Sequence, residues 1–279
     1  MNIWSDALSH QIPIDIVYLD YEKAFDKVPH ERLVMQLEKF GITSKPLLWI
    51  RNFLTNRTQR VSINGTTSES APVTSGVPQG SVLGPVLFLI YISGVTSLVE
   101  NFISLFADDS KLFSKILDDS SIDTLQQDIQ ALSEWSEKML MKFNVDKCHV
   151  LHLGSNNQDH HYYMPNASRL TYPTLQTVED EKDLGVIVDS RLNFHKHMNA
   201  KISKANKMLG IVRRTFKHMN SDIFKICYKS IIRPHLEYAS IIWSPHTKEY
   251  QDKVEKLQRR ATKIVPALFE LPYCERLKV

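Results

Sequence analysis

The run IPIDIVYL at residues 12–19 constrains the fold most, because it is short, largely apolar and rich in β-branched side chains. Such a run predicts a strand that is buried inside a sheet, and it ends at a carboxylate, Asp20. Later in the chain, two strand-like runs flank the sequence ADDS at 107–110, which predicts a hairpin with Asp108 and Asp109 at its tip. If these strands are neighbours in one sheet, the three acids converge.

Helical and strand-like patterns follow one another along the rest of the chain. Apolar residues from Ile122 to Met139 recur at spacings of three and four, which predicts an amphipathic helix. The polar segment 155–173 predicts an exposed connection. Other helices are predicted at about 21–28, 31–40, 45–54, 86–92, 221–231 and 248–265, and other strands at 59–63, 71–74, 149–153 and 184–188.

The chain changes character near residue 190, where we place a domain boundary. Residues 1–190 hold 15 Lys and Arg against 24 Asp and Glu, whereas residues 191–279 hold 19 against 7. A basic segment joined to an acidic body predicts a polyanionic partner, although a solvated lysine-rich helix face gives the same pattern. An apolar stripe from Met198 to Phe216 predicts the helix that carries many of these cations.

The cysteines and the most apolar segment exclude several protein classes. Three widely spaced cysteines predict neither a disulfide framework nor a structural zinc site, which fits a reducing compartment. The N-terminal residues lack a basic start followed by an apolar core, so we expect no signal peptide. The segment 82–99 is interrupted by glycine, proline and hydroxyl residues, which favours a buried helix and a loop over a membrane span.

Three carboxylates in one place require a counter-charge. Two like charges about 4 Å apart repel by roughly 4 kcal/mol at an effective dielectric near 20. Magnesium prefers hard oxygen ligands, and two such ions about 3.5–4 Å apart can stabilise the attacking and leaving oxygens of phosphoryl transfer. Each acid taken singly also has a local explanation, because Asp is common in turns and as a helix cap.

The order of the acidic and glycine-rich segments is more specific than any one of them. Three segments resemble, in this order, motifs A, B and C of reverse transcriptases: VYLDYEKAFDKVPHERL (17–33), SGVPQGSVLGPVLFLIYI (75–92) and LFADDSKLF (105–113). The version that they resemble is found in LINE-type, jockey-like and CR1-like non-LTR retrotransposons. The segment KCHVLHLG (147–154) resembles the end of motif D, and DLGVIVDSRLNF (183–194) resembles motif E and its extension. The segments IIRPHLEYASIIWSPH (231–246) and LQRRATKI (257–264) resemble the C-terminal extension of those proteins. The resemblance covers nearly the whole chain from about residue 15.

The resemblance implies an α+β fold in two parts. Residues 1–190 would form a polymerase palm with motifs A–E, an antiparallel sheet backed by helices, and residues 191–279 a basic, mostly helical thumb and C-terminal extension. The implied reaction adds dNTPs to a DNA primer 3′-OH on an RNA template, with two Mg²⁺ ions, or Mn²⁺. No membrane partner is implied, and the oligomeric state stays open. Proteins of this family are made in the cytoplasm and act on nuclear DNA, so the resemblance implies both locations.

The metal-binding aspartates of the family match three positions, Asp20 in motif A and Asp108 and Asp109 in motif C, which are therefore the catalytic candidates. Tyr21 would offer its backbone carbonyl to a metal ion. Phe25 matches the aromatic residue that packs beneath the sugar of the incoming nucleotide and excludes a 2′-hydroxyl, but it is equally suited to the core. Asp26 is expected to have a structural role, bonding local backbone.

Five further positions match residues that hold the nucleotide or the primer. Gln79 and Gly80 belong to the motif B loop beneath the nascent base pair, where glycine allows close backbone approach, although an ordinary turn has the same composition. Lys147 matches the motif D lysine, which protonates the pyrophosphate leaving group or neutralises its charge; an exposed surface lysine is the alternative. Leu184 and Gly185 resemble the primer grip, whose backbone supports the primer 3′ end.

Cations of the predicted thumb are expected to contact phosphates in a sequence-independent and salt-sensitive way. The expected contacts on one helix are Lys201, Lys204, Lys207, Arg213 and Arg214. A second basic patch is expected at Arg259, Arg260 and Lys263.

The sequence departs from the family pattern before motif A, where the family has its fingers and, further upstream, an endonuclease. We therefore expect that the chain does not polymerise alone. Two other functions stay open: a non-catalytic nucleic-acid-binding remnant or domesticated copy, and an unrelated metal-dependent phosphotransferase or nuclease. A remnant binds nucleic acid without incorporating nucleotides, whereas a nuclease hydrolyses without extending a primer.

Overall fold

A computed structural model describes residues 1–165 and 171–278. Two compact units divide the chain between Glu179 and Asp180. The boundary expected near residue 190 lies on the C-terminal side of this division, so the predicted strand at 184–188 belongs to the second unit.

The first unit combines six α-helices with nine strands among its described residues. The helices are α1 (Asn2–Ser9), α2 (Ala24–Lys27), α3 (His30–Lys39), α4 (Ser44–Leu54), α5 (Leu83–Ile92) and α6 (Asp119–Lys138). The strands are β1 (Ile14–Leu19), β2 (Arg57–Gln59), β3 (Ser62–Ile63), β4 (Thr66–Thr67), β5 (Ala71–Val73), β6 (Phe102–Phe106), β7 (Asp109–Lys115), β8 (His149–Leu153) and β9 (Gln176–Val178). Short 3₁₀ turns lie at Ser93–Ser97 and Val145–Lys147.

A five-stranded sheet in the order β6-β7-β1-β8-β9 organises this unit. Strand β1 runs antiparallel to both of its neighbours, β7 and β8, and the last pair, β8 and β9, is parallel. Five of the six β1 residues are buried, as the apolar run predicts for a central strand covered on both faces. The expected α+β class, an antiparallel-dominated sheet with many helices, is confirmed.

Helix α6 shows how sequence periodicity becomes core packing. Its apolar positions Leu125, Ile129 and Leu132 are fully buried in the core of the first unit, each contributing about 1.5–3 kcal/mol by removal from water. The helix begins where the carboxylate of Asp118 accepts a hydrogen bond of 2.9 Å from the Ser121 N–H, which satisfies a free donor of the first turn. The predicted amphipathic helix is therefore confirmed.

The turn at Asn64-Gly65 joins β3 to β4, and both residues have positive φ, +49° and +84°. Two positive φ angles in a two-residue loop are typical of the hairpin turn that Asn-Gly favours. The flanking strands β2 and β5 pair with each other outside this hairpin.

The second unit is mainly helical. Its elements are β10 (Asp180–Asp183), β11 (Val186–Asp189), α7 (His195–Thr215), α8 (Ser221–Cys227), a π-helical turn (Tyr228–Ile232), α9 (Arg233–Glu237), α10 (Ser240–Trp243), α11 (Lys248–Thr262), a 3₁₀ turn (Pro266–Leu268) and α12 (Tyr273–Arg276). Leu209 and Val212 of α7 are buried in one cluster with Leu257 and Ala261 of α11. The predicted apolar stripe therefore forms the core of this unit, except that Phe216 follows the helix and is 38% exposed.

The connection expected to be exposed at 155–173 is exposed at most of its described residues, and the prediction is wrong at two of them. The side chains of Tyr162 and Met164 are completely buried in the core of the first unit. Residues 166–170 of this segment lie outside the described ranges. Strand β9 follows soon after and was not predicted, because three residues give too short a pattern to recognise.

The three cysteines have free thiols in the described structure. Cys148 and Cys227 are buried thiols and Cys274 is an exposed one, with no disulfide among them. Within residues 1–165 and 171–278, the helices are too short or too polar to cross a bilayer.

Candidate functional site

The register between β1 and β7 brings two of the predicted acids together. The pairs run from Ile14 opposite Lys115 to Leu19 opposite Ser110, and continuing this register by one residue places Asp20 opposite Asp109. Residues opposite each other in antiparallel strands project to the same face with Cβ atoms about 4.5–5.5 Å apart.

The third acid lies in the turn that precedes β7. Phe106 pairs with Asp109, which leaves Ala107 and Asp108 as a two-residue turn with φ +53° at Ala107. Asp109 is therefore the first residue of β7, and the hairpin tip is two residues shorter than the segment 107–110 that the sequence suggested. Asp108 is half-buried and Asp109 is exposed.

Lys147 lies beside the motif A acid. Its Nζ atom is 3.5 Å from Oδ2 of Asp20, and the two side chains are 68% and 38% exposed. The 3₁₀ turn that carries Lys147 is tied to the end of β1, because the N–H of Asn144 donates to the Asp20 carbonyl oxygen at 2.8 Å. Two carboxylates about 5 Å apart repel by roughly 3 kcal/mol at an effective dielectric near 20, and solvent screening lowers this further. The ammonium offsets part of that repulsion.

The donor chemistry of this edge suits a divalent cation, although the side chains are not gathered into a ligand cage. Carboxylate oxygens are the hard ligands that Mg²⁺ prefers, and the backbone places three of them at adjoining positions. Within the part of the chain that the structure describes, no three His, Cys, Asp or Glu side chains are grouped closely enough to hold an ion. The residues therefore fit the cation in chemical type and in their position along the backbone.

Two aromatic residues after Asp20 are anchored by stacking. The ring of Tyr21 lies 4.5 Å from that of Phe143, and their backbones form an antiparallel bridge. Burial raises the pKa of the Tyr21 hydroxyl. Phe25 is half-buried and stacks on Phe88 of α5 at 4.6 Å, so the predicted sugar-contacting ring is also a core residue.

The motif B loop is attached to the segment that follows Asp20. The N–H groups of Gly76 and Val77 donate to the carbonyl oxygens of Val28 and Phe25, each at 2.8 Å. Gly76 has φ +89°, and a Cβ atom there would lie 2.7 Å from a backbone oxygen of Asp26, so only glycine fits without strain.

Gln79 and Asp26 form a contact that sequence reasoning missed. The Gln79 side-chain amide donates to Oδ1 of Asp26 at 3.1 Å, whereas Asp26 was expected to bond local backbone. Both side chains are exposed, as is Gly80, which has φ +83° and no neighbour within 4 Å of an added Cβ. The loop therefore presents Gln79 and Gly80 to solvent just before α5 begins.

In the second unit, Leu184 and Gly185 form the turn between β10 and β11. Both have positive φ, +45° and +86°. Tyr238 supports this turn, because its hydroxyl donates to the Leu184 carbonyl oxygen at 2.7 Å and a Cβ on Gly185 would lie 3.3 Å from its ring.

The cations predicted on one helix do lie on α7, but they are not equivalent. Lys204, Lys207, Arg213 and Arg214 are exposed. Lys201 is half-buried, with Nζ 5.4 Å from the centre of the Tyr238 ring. Burial, and then the charges of Lys182 and Lys204, lower the Lys201 pKa.

A buried polar cluster on the opposite face of the sheet was also missed. Asp15 in β1 is fully buried and accepts hydrogen bonds from His152 Nδ1 at 2.7 Å, the Tyr162 hydroxyl at 2.6 Å and Asn157 Nδ2 at 2.7 Å. A lone carboxylate inside an apolar strand was the available signal, because a buried charge requires partners. Since side chains alternate along a strand, Asp15 faces away from Asp20.

Comparison with known proteins gives one family match over most of the chain. The family described as reverse transcriptase (RNA-dependent DNA polymerase) matches residues 10–212. The RNA-directed DNA polymerase from mobile element jockey of Drosophila melanogaster is 29% identical over 258 residues, 87% of this chain and 27% of that protein. Its counterpart from Drosophila funebris is 28% identical over 278 residues, 93% of this chain and 29% of that protein.

The chain thus spans less than a third of the length of these two curated relatives. Among solved structures, an apo telomerase from Candida tropicalis gives a TM-score of 0.44 at 15% identity, covering 67% of this chain and 36% of the telomerase chain.

Proposed function

We propose that this chain, which belongs to the reverse transcriptase (RNA-dependent DNA polymerase) family, carries out the polymerising reaction of its mobile-element relatives: addition of dNTPs to a DNA primer 3′-OH on an RNA template. The observation that carries the proposal is the register of β1 and β7, which ends with Leu19 opposite Ser110, so that Asp20 and Asp109 are the next residues of the two segments and Asp108 lies in the adjoining turn.

The three acids would hold Mg²⁺, or Mn²⁺, at the edge of the sheet, with the Tyr21 carbonyl as a further oxygen. When bound, two such ions neutralise the attacking and leaving oxygens of phosphoryl transfer. Lys147 would neutralise or protonate the pyrophosphate, a role supported by its position 3.5 Å from Asp20.

The remaining candidates would position nucleotide and primer. Phe25, held against Phe88, would lie beneath the sugar and exclude a ribose 2′-hydroxyl. Gln79 and Gly80 are exposed at the start of a helix, where backbone N–H groups favour negative charge. The Leu184-Gly185 turn would support the primer end, and the exposed cations of α7 would contact phosphates.

One observation favours the alternative of a non-catalytic nucleic-acid-binding remnant. Among the described residues, the acids form no three-ligand group, whereas the second unit, residues 180–279, holds 20 Lys and Arg against 11 Asp and Glu. A remnant would keep salt-dependent binding and incorporate no nucleotide.

Primer extension on poly(rA) with an oligo(dT) primer, dTTP and Mg²⁺ separates the two. Under the polymerase proposal, the chain incorporates dTMP, and Asp108→Asn lowers the rate at least about a hundredfold by removing one charged ligand. Asp123→Asn, on the exposed face of α6, is the matched control and changes the rate by less than about twofold.

Each outcome decides between the proposals. Incorporation that survives Asp108→Asn, or falls equally in Asp123→Asn, would overturn the assigned site. Binding of the primer-template without incorporation would establish the remnant instead. Incorporation by this chain would support the polymerase proposal over the expectation from the sequence that it does not polymerise alone.

A further inference from the structure

The C-terminal ends of α7 and α11 border an open cavity of about 700 Å³ within the second unit. This volume lies inside the range of about 300–1,000 Å³ that is usual for ligand sites. Met219, which is buried in the core of the unit, lines the cavity and connects it to the packed helices.

Positive charge dominates the lining. Arg213, Lys217, Arg260 and Lys263 line the cavity, and Glu270 is the one acid among its lining residues. Across the described ranges, none of these four cations forms an ion pair with a carboxylate. Arg260 donates a hydrogen bond to Oδ1 of Asn206 at 3.0 Å, which leaves its charge uncompensated. Four such cations in one concave surface favour a polyanionic ligand.

Compensation of helix dipoles explains only part of this cluster. Arg213 and Arg260 lie in the last turns of α7 and α11, where a cation stabilises the helix end. Lys217 lies beyond the end of α7, past the cap residue Phe216, whereas Lys263 is the cap residue of α11 and its ammonium also lies over the Phe269 ring. Lys217 is therefore the cation that the helix dipoles explain least, and the ring contact is what sets Lys263 apart from Arg213 and Arg260.

Two aromatic rings flank the cations. Phe216 and Phe269 line the cavity and are 38% and 54% exposed. Nζ of Lys263 lies 5.6 Å from the centre of the Phe269 ring. Exposed aromatic rings beside cations are typical of sites for single-stranded nucleic acid, in which bases stack on rings while cations hold the backbone.

We propose that this cavity binds single-stranded nucleic acid, with Lys217 and Lys263 on the phosphates and an unpaired base on Phe269. This site rests on the proposed function and extends it, because it gives the second unit a contact with the nucleic-acid strand that does not involve Asp108. Free phosphate shares the same charge chemistry but leaves the rings and most of the volume unused. A duplex keeps its base faces stacked, so they are not available to Phe269.

Fluorescence anisotropy of the full chain with a short labelled oligo(A) RNA, over a range of salt concentrations, tests this site. K217Q/K263Q is expected to weaken binding roughly tenfold or more at about 0.1 M salt and to reduce the log–log salt slope by up to about 1.4, since each phosphate contact on a single strand contributes about 0.7. Phe269→Ala is expected to weaken binding about fivefold or more with the slope unchanged, because stacking carries no charge.

The control K229Q/K248Q removes the same charge from exposed positions outside this cavity and is expected to leave both affinity and slope nearly unchanged. Equal losses in the two double variants would show diffuse attraction and overturn the proposal. Tighter binding of a matched duplex, or displacement of the RNA by millimolar inorganic phosphate, would also overturn it. The anisotropy measurement contains no dNTP and no primer, so failure of this site is distinguishable from failure of polymerisation, which primer extension measures.

Discussion

Replacing Tyr162 by Phe removes one hydroxyl from the fully buried cluster around Asp15 and leaves the rest of the side chain unchanged. In the described structure, that hydroxyl donates to Oδ2 of Asp15 at 2.6 Å, while His152 and Asn157 both donate to the other oxygen, Oδ1. Burial and the neighbouring carboxylate raise the pKa of Tyr162, so the hydroxyl keeps its proton and remains a donor.

The expected loss follows from the charge of the acceptor. A hydrogen bond to an ionised group contributes about 1.5–3 kcal/mol, and the variant leaves Oδ2 buried without this donor. We therefore expect Tyr162→Phe to lower the free energy of unfolding by about 1.5–3 kcal/mol at neutral pH. Tyr163 is the matched control, since it is the next residue and its side chain is 42% exposed. Tyr163→Phe should change stability by less than about 0.5 kcal/mol.

The loss should depend on pH with a definite sign. Burial alone would raise the pKa of Asp15, but hydrogen bonds from His152, Tyr162 and Asn157, with the charge of His152, hold it below 3.8. A carboxyl whose pKa is lower in the folded state contributes stability above the unfolded-state pKa and loses it as the pH falls through the folded-state pKa. Removing the Tyr162 donor raises the folded-state pKa, so the difference between variant and unmodified protein should shrink below about pH 4.

Urea unfolding followed by far-UV circular dichroism, at neutral and acidic pH, measures both effects when the m value is unchanged. Equal losses for Tyr162→Phe and Tyr163→Phe, or a loss that does not vary with pH, would refute the assignment of Asp15 as a buried carboxylate held by this hydroxyl.

Two further predictions use matched positions in the chain. Gly76→Ala should destabilise the protein by about 2–4 kcal/mol, because a Cβ at φ +89° would lie 2.7 Å from a backbone oxygen. Gly94→Ala is the control and should change stability by less than about 1 kcal/mol, because the space around Gly94 is open. Thermal or urea unfolding measures both. A large loss in both variants would contradict this. Burial raises the pKa of Cys148 to about 12, so in native protein a thiol reagent at mildly alkaline pH should modify Cys274 and spare Cys148 until denaturant is added. Rapid native labelling of Cys148 would show that its strand end opens.

The type and order of the elements were largely predictable from the sequence because they depend on local patterns. The apolar run before Asp20 became β1, and the spacing of three and four from Ile122 became α6. The Asn64-Gly65 turn follows from two residues that tolerate positive φ. The membership of the family was also predictable, since motifs in a fixed order survive when most other residues differ.

The arrangement of the site was decided by tertiary structure. Nothing local to Asp20 indicates that β7 lies beside β1, yet that pairing sets Asp109 opposite it. The same holds for Lys147, whose contact with Asp20 depends on how the 3₁₀ turn docks at the end of β1.

The burial of Asp15 illustrates the physical reason most clearly. The sequence shows a carboxylate within an apolar strand and therefore that partners must exist, but His152 and Tyr162 are 137 and 147 residues away. Local propensity acts over a few residues and fixes helices, strands and turns, whereas hydrogen bonds and burial join residues wherever the folded backbone brings them together. The sequence by itself determined which acids this protein carries and on which elements, and the sheet order decided which of them lie at the ends of neighbouring strands.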